Sequence, residues 1–267
     1  MLRQPAVADR FYPGRPQELL AAVRQCLDPA TQPQPAILAV SPHAGYVYSG
    51  PTAGKTLSRV TIPRRVIVAG PNHTGAGAAG AVMSRGQWLT PLGAVDLDAE
   101  LGDLLLARSH FLQEDHRAHQ HEHSLEVQVP FLQVLQPELK LLPVCLGGLN
   151  FSQCAEVGRA LAGAIRAAGE PVLMVASTDM THFESARAAE AKDSQAIARI
   201  LALDPKGLYD AVVNLGISMC GVLPTTACLV AALELGASSA ELVEYTNSGQ
   251  ASGDYHRVVG YAGLIVR

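Results

Sequence analysis

Apolar residues fall along this chain in two rhythms. Short, nearly unbroken apolar runs recur at 36–40 (AILAV), 65–70 (RVIVAG), 139–145, 171–177 (PVLMVAS) and 258–266 (VVGYAGLIV), with a further strand at 241–245. Runs of this kind mark strands covered on both faces. Between them lie longer amphipathic stretches. These predict helices at 16–27, 51–58, 99–107, 125–135, 153–168, 186–202, 204–215 and 222–235. The alternation predicts an α/β fold with a central, mostly parallel or mixed sheet and helices on both faces. In open α/β sheets, ligands bind just beyond the carboxyl ends of the strands. The residues that follow each strand therefore carry the most information about function.

Composition narrows the picture. A length of 267 residues suits one domain, read here as spanning 1–267 without internal repeats or a Gly/Ser-rich linker. Hydrophobic residues make up 48% and charged residues 16%, the balance of a chain with a large buried core. The net charge is −4 and no basic run occurs, so attraction to nucleic acid or to an anionic membrane has no electrostatic footing. No apolar stretch is long enough to span a bilayer, and the first residues lack the apolar core of a secretory signal. Five cysteines, an odd number with no CxxC pair, fit a cytoplasmic protein rather than a disulfide framework.

Three strands end in a polar turn that carries a histidine. Ser41-Pro42-His43-Ala44-Gly45-Tyr46 follows the first, Gly70-Pro71-Asn72-His73-Thr74-Gly75 the second, and Ser177-Thr178-Asp179-Met180-Thr181-His182-Phe183 the PVLMVAS strand. Taken singly, each is most simply a surface turn histidine. Their recurrence at equivalent positions brings them to one end of the sheet, where imidazoles serve metal binding or acid–base chemistry. A fourth segment, His119-Gln120-His121-Glu122-His123-Ser124, precedes a helix. His123 is expected beside the site as a substrate-binding or orienting histidine, and His119 and His121 as solvated loop residues. A fifth segment, Met219-Cys220-Gly221, stands at a helix start, where the helix dipole favours a thiolate. Tyr46, Tyr48 and Phe183 are candidate cleft walls, and Asn247, Ser248 and Gly249 candidate neighbours. Trp88 is expected in the core, as are Cys26, Cys145, Cys154 and Cys228.

The ordered set SPHAGY, GPNHTG, EHSLEVQVPFLQ, STDMTHF and MCG resembles the Memo family, and the opening VADRFYPG and the late SGDYHRVVGYAG fit it too. The resemblance covers essentially the whole chain. It implies a fold like that of the class III extradiol dioxygenases, which hold Fe(II) with two histidines and a glutamate. In Memo proteins a cysteine replaces the glutamate. Carried over, the implied metal ligands are His43, His73 and Cys220. His182 falls at the place of the dioxygenase acid–base histidine, with Asp179 and His123 lining the same cleft. A thiolate ligand softens the site toward iron or copper, so Fe(II) or Cu(I) is the implied cofactor, with Zn(II) also suited to the donors. The thiolate also sets this chain apart from the ring-cleaving enzymes, whose activity does not carry over. The expected function is an iron- or copper-dependent redox enzyme of unknown substrate. The alternatives are a non-catalytic module that binds a metal, peptide or partner in the same cleft, and a zinc hydrolase with Asp179 or Glu122 as base. The resemblance further implies an AMMECR-like protein and a radical-SAM protein as partners.

Overall fold

In the computed structural model, which describes residues 1–267, each of the six predicted apolar runs forms a strand of one twelve-stranded mixed sheet. In chain order the elements are β1 (Leu2–Arg3), α1 (Pro16–Cys26), β2 (Leu38–Ser41), α2 (Tyr46–Ser58), β3 (Arg65–Pro71), β4 (Gly80–Val82), β5 (Gln87–Thr90), β6 (Gly93–Leu97), α3 (Ala99–Leu106) and β7 (Gln113–Glu114). A 3-10 turn (Glu126–Gln128) then leads into α4 (Val129–Leu135) and β8 (Lys140–Leu146). The rest are α5 (Phe151–Ala168), β9 (Val172–Ser177), β10 (His182–Glu184), α6 (Ala186–Leu201), α7 (Pro205–Asn214), α8 (Val222–Glu234), β11 (Ala240–Asn247), α9 (Gly249–Ser252) and β12 (Val258–Val266).

The sheet runs β1-β5-β6-β8-β3-β9-β2-β12-β10, with β11 also on β12 and β4 on β8 and β7. Its centre, β8-β3-β9-β2, is parallel, in a register that sets Ser41 beside Ser177 and Ala69 beside Ala176. The carboxyl ends of these strands therefore share one edge.

Period-two alternation sorts the strand residues into two cores. Leu38, Val40, Ile67, Ala69, Leu142, Val144, Met174 and Ala176 join a core roofed by α3, α5, α6, α7 and α8. Ala39, Val66, Val68, Leu141, Leu173 and Val175 join the opposite core, roofed by α1, α2 and α4. Both faces are thus covered, which is why the strand sequences read as unbroken apolar runs. Trp88 is fully buried in the second core, as expected. Of the cysteines assigned to the core, Cys145, Cys154 and Cys228 are buried and Cys26 is half-buried.

Two helices differ from the pattern. The helix expected at 51–58 begins at Tyr46 and carries Pro51 inside it. Pro51 lies on the exposed side, where a carbonyl left without its intrahelical donor can reach water. The helix expected from Leu125 opens as a 3-10 turn and becomes α-helical at Val129, because Pro130 in its first turn removes a donor. Strands β4, β5, β6 and β10 have three to five residues each. That is too short for alternation to stand out in the sequence.

Candidate metal centre

His43 and His73 follow β2 and β3 at the shared carboxyl edge, and Asp179 and His182 follow β9. His43 is buried, with its ring edge-on to His73 at 5.3 Å and to His123 at 5.5 Å between centroids. His73 and His123 stack at 4.6 Å. A ring nitrogen from each of His43, His73 and His123 can be chosen so that all lie within 4.8 Å of one another. That spacing suits three donors around one ion.

Glu122, fully buried, holds the His73 ring and lies beside that of His123. Its Oε1 lies 2.9 Å from His73 Nδ1 and 3.4 Å from His123 Nδ1. The carboxylate also accepts the backbone N–H groups of His73 at 2.6 Å, His123 at 3.0 Å and Ser124 at 2.9 Å. Burial works against its charge, but the hydrogen bond from His73 and the backbone donors outweigh it and hold the carboxyl down at about 2. An ionised carboxylate only accepts, so His73 carries its proton on Nδ1 and turns the Nε2 lone pair away from Glu122. Carboxylates commonly orient metal-binding imidazoles in this way. Sequence reasoning considered Glu122 only as a base. The carboxylate flanked by histidines was visible, but its burial was not.

Cys220, the third ligand expected from the sequence, lies outside this three-histidine group and meets it only at His43, its Sγ 3.2 Å from His43 Nε2. The backbone N–H of Asp179 donates to the same sulfur at 3.2 Å. Gly221 makes this approach possible. A Cβ there would lie 2.5 Å from Ser177 O, and the Gly221 N–H donates to Thr178 Oγ1 at 2.9 Å. The expectation that the helix start would favour the thiolate is not met by the chain's own groups. Burial pushes the thiol well up, the Asp179 charge adds to it, and the local hydrogen bonds do not compensate. Burial first, and then the neighbouring imidazoles of His123, His73 and His182, push His43 well below its usual range. It is therefore neutral at neutral pH, the form in which imidazole binds metals.

Asp179 accepts the His43 backbone N–H at 2.7 Å, and burial raises its carboxyl to about 7. His182 donates from Nδ1 to the Ser218 carbonyl at 2.9 Å, which leaves its Nε2 free to take a proton. Phe183 and Tyr48 are exposed, whereas Tyr46 is buried and donates its hydroxyl to Val127 O at 2.8 Å. Asn247 uses its side chain on the Gly249 N–H at 3.0 Å. His121 is exposed, but His119 is not solvated. It is fully buried, edge-on to Trp88 at 5.9 Å, and burial pushes its imidazole down to about 3.

The donors fit a late first-row ion. Neutral imidazoles with a sulfur beside them are borderline to soft ligands, unlike the all-oxygen shells of Mg(II) or Ca(II).

A family model described as Memo-like protein matches residues 3–265. A MEMO1 family protein of Methanopyrus kandleri is 42% identical over 281 aligned residues, covering 100% of this chain and 99% of that protein. A MEMO1 family protein of Methanosarcina mazei is 42% identical over 267, covering 99% of each. Among solved structures, an uncharacterized protein of Escherichia coli K12 superimposes with a TM-score of 0.53 at 13% identity, over 85% of this chain and 99% of that one. This last likeness concerns the fold alone. No helix here is long and apolar enough to cross a membrane.

Proposed function

The chain belongs to the Memo family, and from that premise we propose that it is a metal-dependent redox protein, its Fe(II) or Cu(I) held by His43, His73 and Cys220. The observation that carries this reading is the gathering of the His43, His73 and His123 ring nitrogens within 4.8 Å, with Cys220 Sγ 3.2 Å from His43 Nε2. His43 and His73 are common to the three-histidine cluster and to the proposed ligand set, and Cys220 joins that set through its contact with His43. Bound there, the ion would supply one-electron redox chemistry. The chain supplies the proton handling. Asp179, whose carboxyl sits at about 7, can give or take a proton near neutrality. The free Nε2 of His182 makes that residue the acid–base partner, held by Ser218 through Nδ1. His123 lines the space beside His73, where it can contact a substrate.

The test is the metal content of protein purified anaerobically without a metal-chelating tag, read by mass spectrometry. Iron or copper near one per chain is expected in the wild type. It should be absent from His43→Ala and Cys220→Ser, with far-UV circular dichroism unchanged. Full metal content in both variants would overturn the ligand assignment. Full zinc occupancy that ignores added Fe(II) would turn the reading toward a zinc hydrolase.

The exposed Phe183 and Tyr48 favour a second reading, a metal- or peptide-binding module without turnover. Dioxygen consumption by the Fe(II)-loaded protein on catechol-like or peptide substrates separates the two.

A further inference from the structure

Beneath His43 lies a set of hydrogen bonds whose directions can be solved by elimination. Gln128 Nε2 is 2.9 Å from the Pro42 carbonyl oxygen and 2.9 Å from Ser177 Oγ. A carbonyl only accepts, so the amide nitrogen must face Pro42, and its two hydrogens serve the two near acceptors, Pro42 O and Ser177 Oγ, while Ser41 O lies farther off at 3.5 Å. Ser177 Oγ is in turn 2.6 Å from the carbonyl oxygen of Ser124. That oxygen can only accept, so the single hydroxyl hydrogen of Ser177 goes to it. One lone pair of Ser177 Oγ already receives Gln128. The remaining contact, 3.0 Å to His43 Nδ1, must then be one in which the imidazole donates.

His43 therefore carries its proton on Nδ1. Its Nε2 turns an unprotonated lone pair toward Cys220 Sγ. Gln128, Ser177 and Ser124 are all fully buried, so water does not compete for these bonds. The knot also reaches the second histidine turn, because Ser124 Oγ donates to Pro71 O at 3.1 Å. His73 takes its tautomer from a charged carboxylate. His43, deeper in the protein, takes its own from neutral groups, which cost less to bury.

We propose that Gln128 and Ser177 are positioning residues that lock His43 in the Nδ1–H tautomer and so set it to bind the ion through Nε2. The consequence for the ion rests on the metal reading above, whereas the tautomer does not.

The experiment is long-range ¹H–¹⁵N NMR of the imidazoles in the chelator-treated protein, beside Zn(II) affinity measured by competition with a chromophoric chelator. The wild type should show His43 protonated on Nδ1. In Ser177→Ala, His43 should shift toward Nε2–H while His73, held by Glu122, keeps its tautomer. Zn(II) affinity should fall about 10–100-fold. Gln128→Met removes one of the two groups that orient the Ser177 hydroxyl, the other being Ser124 O, so it should shift only part of the His43 population to Nε2–H, and it serves if Ser177→Ala does not fold. A wild-type His43 protonated on Nε2 would overturn the proposal, and so would a folded Ser177→Ala with tautomer and affinity unchanged. A drop in melting temperature with no tautomer change would mean packing alone, and would also overturn it. A wild type with the Nδ1–H tautomer that binds neither Zn(II) nor Fe(II) would support the lock and overturn the metal reading.

Discussion

Glu122 is the residue through which the histidine loop and the turn after β3 act as one. Its two oxygens face N–H donors from His73, His123 and Ser124. In Glu122→Gln an amide NH₂ must replace one oxygen and point at a donor. Stability should fall by about 1–3 kcal/mol for the donor left without an acceptor. Metal affinity should fall about 10–100-fold as the His73 ring loses its anchor. Urea denaturation and chelator competition read the two effects, and unchanged affinity would remove Glu122 from the site. The pH dependence has a definite sign. The folded-state value, about 2, lies below the ordinary 4.5. The carboxylate's contribution is complete above 4.5 and is lost as the pH falls toward about 2, and the amide variant lacks that loss.

At the scale of elements, β10 is the unusual one. His182 pairs with Val259 and Glu184 with Val258, so Phe183 is an extra residue in a bulge. Its φ is +61°, in the left-handed region that a phenylalanine adopts only at a cost. The bulge places the His182 ring against the Ser218 carbonyl and sends the Phe183 ring outward, with the Arg257 guanidinium 5.6 Å from its centroid. From behind, Asp193 accepts the Thr181 N–H at 2.9 Å and the Tyr245 hydroxyl at 2.8 Å, fixing the turn that leads into the bulge. Phe183→Gly relieves the backbone and should raise stability by up to about 1 kcal/mol in urea denaturation. A clear loss would mean that the ring's contacts outweigh the strain.

At the scale of the whole molecule, the N-terminal arm secures the site. Arg3 donates to His119 O at 2.6 Å and Glu122 O at 2.8 Å, pairs with Glu126 at 2.7 Å, and lies 4.1 Å over Trp88. Glu126 also accepts the N–H groups of Ala6 and Val7 and the Tyr12 hydroxyl. The Phe11 ring sits 4.7 Å from His123, and its carbonyl accepts the Tyr46 N–H at the start of α2. The buried pair gives a sharp expectation. Arg3→Met leaves Glu126 charged and without its cation, and should cost about 3–5 kcal/mol in denaturant unfolding. Metal affinity should drop with it as the His119–Ser124 segment loosens. A variant as stable as the wild type would show that the arm is not an anchor.

The sequence alone determined the layered α/β fold and the approximate positions of its longer strands, though not their exact ends or the short strands, because apolar runs of strand length have few other places to go. It placed His43, His73 and His182 in turns after three strands, and the parallel register then puts His43 and His73 at one edge, whereas His182 lies in the short β10. The nearness of Cys220 to His43 came from family resemblance, and the structure adds the glycine that permits it. Tertiary structure alone decided that His119 and Glu122 are buried and that His123 joins the ring cluster. The path of that loop is set by Arg3, 116 positions away from His119 in the chain. A contact across that distance depends on two surfaces meeting after folding, and no local rhythm of apolar and polar residues encodes it.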